Sequence, residues 1–102
     1  MKIDVNKFRS AFFEEAAEHL LTMETTLIEL EANPEDPELI QRIFRAAHSL
    51  KGASAQMGAR HVAAAALRIE KATAAGDLDA ARASLPALRA AQQAAGPLLL
   101  AA

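Results

Sequence analysis

The sequence predicts an all-α fold, an antiparallel four-helix bundle running up-down-up-down, and three observations carry that prediction. Apolar residues recur three and four positions apart through most of the chain. Short segments of proline, glycine and aspartate cut this pattern into four parts. No stretch alternates apolar with polar residues and β-branched residues are scarce, so nothing favours strands. Short links make antiparallel neighbours the economical arrangement.

The first helix is expected over residues 5–31, after Asp4 as a possible N-cap, with Val5, Phe8, Phe12, Ala16, Leu20, Met23, Leu27 and Leu30 on one stripe. The segment "EANPEDPEL" breaks it. Asp36 then has the form of an N-cap followed by proline at the first helical position, which opens a second helix over 37–57. Its stripe is Leu39, Ile43, Ala46, Leu50, Ala53 and Met57, flanked by Ile40, Ala47 and Ser54. Gly58 suits the end of that helix. A third helix, 60–75, carries Val62, Ala66, Ile69 and Thr73 and stops at Gly76. Asp77 can cap a fourth, 78–95, built on Leu78, Ala81, Leu85, Leu88, Gln92 and Ala95. Pro86 lies inside this last helix; it removes one backbone hydrogen bond and predicts a kink near Arg82 or a division after two turns.

Composition bounds the function. A chain of 102 residues holds a single domain with one core, and a two-lobed enzyme is excluded. Hydrophobic content of 52% with 24% charge marks a folded protein, and no long uncharged apolar run suggests a membrane span. The net charge of −2 gives no basic footprint, so nucleic acid is not an expected partner. There are no cysteines, hence no disulfides or thiolate metal sites. The opening "MKIDVNKFRSAFFEEAAEHL" has acids among its apolar residues and does not read as a signal peptide, which makes a cytoplasmic address the expectation. His19, His48 and His61 stand on three different helices and form no metal set. No glycine-rich loop leads into lysine and Ser/Thr, so no ATP-binding device is evident.

The chemistry concentrates in "FRAAHSLKGASAQMGA", Phe44 to Ala59. On a helical wheel His48 lies nearly opposite the Leu39/Ile43/Leu50 stripe and shares its face with Gln41, Arg45, Lys51, Gly52 and Ala55, so it should meet solvent. A glycine in a helix interior costs roughly 1 kcal/mol relative to alanine, in a chain that uses alanine freely. Lys51 and Gly52 sit one turn beyond His48. The cation can neutralise negative charge on a group attached to the ring, and the missing side chain lets a bulky partner approach. An imidazole is available in its neutral, nucleophilic form near neutral pH. These properties suit a phosphoryl group.

The run "HSLKGASAQMGA" resembles the signature of histidine-containing phosphotransfer (HPt) domains, four-helix modules whose exposed histidine passes a phosphoryl group between signalling proteins. The first half, with "FRSAFFEEAAEHLLTMETTLIEL" and "IFRAAHSLKG", is most similar to the N-terminal phosphotransfer domain of the chemotaxis kinase CheA. The second half, "GARHVAAAALRIEKATAAGDLDAARASLPALRAA", is closer to HPt domains that stand alone or end hybrid kinases. The resemblance implies that His48 is phosphorylated, at Nε2, that Lys51 steadies the phosphoryl oxygens and that Gly52 clears space. It further implies that Glu70, in "LRIEKA", accepts a hydrogen bond from the imidazole. By the residues alone Glu70 is one more surface acid. CheA proteins often carry a second histidine three residues before this glutamate, where the present chain has Leu67, and the fifth helix of that family has no counterpart in "GPLLLAA".

The resemblance also implies partners. A histidine kinase, a CheA-type kinase or a phosphorylated receiver would supply the phosphoryl group, and an aspartate of a response-regulator receiver would take it. No cofactor is expected in this chain, because the magnesium belongs to the receiver. Phe44, Arg45, Ala55 and Gln56, with Ala47 as a small neighbour, form the expected docking patch; Phe44 could equally belong to the core with Phe8, Phe12 and Phe13. A free-standing HPt protein is the natural reading of a short chain starting at Met1, and a kinase fragment competes with it. The alternative function is a helical-bundle adaptor or dimerisation module without phosphoryl chemistry. A hydrolytic enzyme built on Glu70 and His48 would lack a nucleophile and an oxyanion device.

Overall fold

A computed structural model of the chain describes the backbone of residues 5–100 and the side chains of residues 7–95. Four helices fill that span: α1 Val5–Ala32, α2 Pro37–Gln56, α3 Arg60–Ala74 and α4 Leu78–Leu100. Among the described residues there is no strand. Close backbone approaches join α1 to α2, α2 to α3, α3 to α4 and α4 to α1, the neighbour order of a square bundle. This is the all-α arrangement that the apolar spacing predicts.

The helices begin and end where backbone chemistry requires. The Asp36 carboxylate accepts the Glu38 N–H at 2.9 Å, with Pro37 in the first turn, where its missing donor costs nothing. Asp77 does the same for α4 by accepting the Ala80 N–H at 3.0 Å. Asp4 lies outside the described residues. Gly58 and Gly76 adopt φ of 75° and 74°, the left-handed region that costs any other residue a Cβ clash. The amides around each glycine then close back on the helix. Ala59 N–H donates to Ser54 O and Gly58 N–H to Ala55 O, and Asp77 with Gly76 repeat this on Ala72 and Thr73. Two helices therefore stop by one device, each followed at once by the next helix.

The core takes Phe12, Met23, Leu27 and Leu30 from α1, Leu39, Ile43 and Leu50 from α2, Val62 and Ile69 from α3, and Ala81 and Leu88 from α4. Each large side chain fully buried here contributes about 1.5–3 kcal/mol from its transfer out of water. Phe8 departs from the expected stripe: it is 63% exposed. Its angular phase is right, but it sits near one end of the longest helix, and periodicity reports angle rather than cover along the axis. On α2 the buried arc is turned toward the flank, with Ala47 and Ser54 fully buried and Ala53 and Met57 only partly so. The cause is α3, the most extensive neighbour of α2.

Pro86 does not divide α4, and the helix runs beyond residue 95 to Leu100. Arg82 and Pro86 are both exposed, so the carbonyl that the proline leaves without a partner lies on the solvent side, where water can bind it. No described helix is long and apolar enough to cross a membrane.

A Cβ at Gly58 would meet no atom within 4 Å, so the cost of replacing it is backbone strain alone. Gly58→Ala is expected to lower the unfolding free energy by about 1–2 kcal/mol, read as a shift in urea midpoint at unchanged slope.

Candidate functional site

The tight α2–α3 turn sets the register of the two helices. In an antiparallel hairpin, residues equidistant from the turn lie side by side, and positions 48 and 70 are each 11 from Ala59. Glu70 accordingly reaches across to His48, its Oε1 standing 3.3 Å from Nδ1. The other carboxylate oxygen, Oε2, stands 2.8 Å from Lys51 Nζ. One carboxylate thus holds two residues of the facing helix. Below it on α3, the Thr73 hydroxyl donates to the carbonyls of Ile69 and Glu70 at 2.9 and 3.0 Å, pinning the turn that carries the acid.

Burial is graded across this group. The Glu70 side chain is 14% exposed, Lys51 30% and His48 62%. The ammonium of Lys51 holds the Glu70 carboxyl below its ordinary value of 4.5; partial burial opposes this, and the His48 contact adds to it. An ionised carboxylate can only accept, so its contact assigns the imidazole proton to Nδ1. In the neutral ring Nε2 is then the unprotonated nitrogen, and it has no partner among the described residues. The ring of Phe44, one turn earlier on α2, lies parallel to the imidazole at 9°, with centroids 6.2 Å apart. The arrangement is an exposed, oriented nucleophile with a cation beside it.

The remaining expected residues fall into place unevenly. Arg45, Gly52, Ala55 and Gln56 are exposed on α2, while Phe44 is half-buried and Ala47 fully buried. Ala47 therefore belongs to the core and is not part of a docking surface. Arg45 and Lys71 are exposed and make no ion pair among the described residues, in contrast to Arg42, paired with Glu29, and Arg89, paired with Glu24. A Cβ at Gly52 would meet nothing within 4 Å, so no packing inside the bundle requires glycine there. His61 is exposed and His19 half-buried, and among the described residues no three His, Cys, Asp or Glu side chains gather as a metal set.

The family model of the Hpt domain matches residues 7–96. The chain belongs to the Hpt domain family. As such it is a histidine phosphotransfer domain of two-component signalling. Relatives include the chemotaxis protein CheA of Bacillus subtilis, 48% identical over 56 residues, which is 55% of this chain and 8% of that protein. CheA of Klebsiella aerogenes is 47% identical over 58 residues, 57% of this chain and 9% of that protein. The sensor histidine kinase CheAY of Helicobacter pylori is 45% identical over 51 residues, 50% of this chain and 6% of its own length. The chain thus spans under a tenth of these curated relatives. No solved structure matches it significantly.

The lowered carboxyl of Glu70 fixes the sign of a pH effect. A folded-state value below the unfolded one stabilises the fold fully above the ordinary carboxylate range, and that contribution fades as pH falls through the lowered value. Glu70→Gln should therefore be less stable than the wild type at pH 7, and the gap should narrow as pH falls toward 3. Urea unfolding at both pH values checks it; a gap that stays constant would refute the assignment.

Proposed function

We propose that His48 is the phosphoryl acceptor of this Hpt domain and that Nε2 carries the group. The observation that supports this most is the Glu70 contact to Nδ1 on an imidazole that is otherwise exposed. In the forward step the Nε2 lone pair forms the bond to phosphorus as the bond from phosphorus to the donor oxygen breaks. The ring gains positive charge and keeps its Nδ1 proton against Glu70, which stabilises the charged imidazole as an aspartate does in a hydrolase triad. In this reading the Lys51 ammonium, paired with the same carboxylate as His48, meets the oxygens of the incoming group. In the second step the N–P bond breaks as an aspartate oxygen of the partner bonds to phosphorus.

The donor in this reading is a CheA-type kinase or a phosphorylated receiver, and the acceptor is a response-regulator receiver domain in the cytoplasm. Magnesium is the receiver's contribution. Arg45, Ala55 and Gln56, exposed around His48, are the docking residues, and Gly52 leaves the space into which the partner fits. Its presence in a helix interior, with open space around it, is a stability cost with no return inside the bundle.

Phosphotransfer from a CheA-type kinase should label the wild type with an acid-labile phosphoryl group and leave His48→Gln unlabelled. Absence of label on the wild type, under conditions that label a control Hpt domain, would refute the proposal. Gly52→Ala separates presentation from chemistry: it should stabilise the fold by up to about 1 kcal/mol in urea unfolding while slowing transfer to and from protein partners.

A further inference from the structure

We infer that Phe44 is a positioning residue for His48, an inference that rests on His48 being the phosphoryl acceptor. A nitrogen lone pair lies in the plane of its ring, so in-line attack depends on where that plane points. The contact from Nδ1 to Glu70 is 3.3 Å, at the long end for a hydrogen bond, and a single contact at one edge leaves the ring free to swing about it. The phenyl ring supplies the second restraint. It lies on the imidazole side of α2 one turn earlier, parallel within 9° and offset, with 6.2 Å between centroids, the geometry that aromatic pairs favour. It bounds a face of the imidazole without occupying the plane in which Nε2 attacks. Glu70 fixes the edge and Phe44 fixes the face.

This assigns Phe44 a use that neither the core nor a docking patch supplies. A core residue would be buried, whereas Phe44 is half-buried and stacked on an exposed ring. A docking residue would matter only with a protein partner. Phosphoramidate separates the two, because it is a small phosphodonor with no surface to dock: Nε2 bonds to phosphorus, the P–N bond of the reagent breaks, and ammonia leaves with its electron pair.

The experiment compares phosphoramidate labelling of the wild type, Phe44→Leu and Phe44→Tyr, with His48→Gln as blank, and records the imidazole ¹⁵N signals of each. Phe44→Leu should label about 3- to 10-fold more slowly and show a mixture of Nδ1-H and Nε2-H tautomers. Phe44→Tyr, which keeps the ring, should label at the wild-type rate with the wild-type signals. Equal rates and unchanged signals in Phe44→Leu would overturn the inference alone. So would a defect in Phe44→Tyr equal to that of Phe44→Leu, since it would trace the effect to general packing. A wild type that takes no label would overturn the phosphoacceptor reading and the inference with it.

Discussion

The site depends on one carboxylate with two oxygens and two partners. Glu70 is nearly buried, and a buried carboxylate is tolerated when both oxygens are met by donors. Oε1 meets the imidazole and Oε2 the ammonium, so the pairing that keeps the acid ionised also sets the histidine's tautomer and holds the lysine within reach of it. That geometry requires α2 and α3 to lie in one register. The register comes from Gly58, whose positive φ lets the chain reverse within three residues. A turn longer by one residue would offset the register and rotate α3, carrying Glu70 away from His48.

The bundle gives this site rigidity that a loop would not. Each side of the group rests on buried residues of its own helix: Ala47 and Leu50 beneath His48 and Lys51, Ile69 and Thr73 beneath Glu70. Local stability is highest where such contacts are dense, and under the proposed role a nucleophile that meets phosphorus in line gains from restricted motion before the partner arrives. Gly52 breaks the pattern. The helix carries a residue of poor propensity at a position without internal constraint, a local conflict that packing within the bundle does not explain.

Much of this was legible in the sequence, for physical reasons that differ by residue. The four helices followed from periodicity and from Asp36, Gly58, Gly76 and Asp77, because capping and left-handed turns are local chemistry. His48 was placed on the solvent side by the wheel alone. Phe8 was misplaced because a wheel carries no information on how far along the axis neighbouring helices reach. Ala47, expected both on the flank of the apolar stripe and beside the docking patch, is fully buried because the arc of α2 is turned by α3, a tertiary effect. Glu70 came only through family resemblance, although its position was within reach of the residues: a turn centred on Ala59 puts residue 70 opposite residue 48. The stacking of Phe44 on His48 had a signal too, the spacing of four, but spacing alone does not separate a ring in the core from a ring on a neighbour.

Charge adds a last constraint on what can approach. Residues 1–36 hold nine acids and three bases, whereas residues 37–102 hold four acids and eight bases, so a net charge near zero conceals a division along the chain. Glu14, Glu15, Glu18 and Glu31 are exposed on α1 and make no ion pair among the described residues. Arg45 and Lys71 are exposed and equally uncommitted on α2 and α3, the helices that build the site, where the acid nearest His48 is already spent on Lys51. A partner reaching His48 therefore meets an excess of positive charge, and one approaching α1 meets the reverse. Unpaired surface charges contribute little to folding but act over roughly 8–10 Å at physiological salt, far enough to orient an encounter before contact. The dipole favours arrival of an acidic surface at the histidine and disfavours it on α1. The division that leaves the stability of the bundle almost untouched thus biases which surface meets the exposed imidazole of His48.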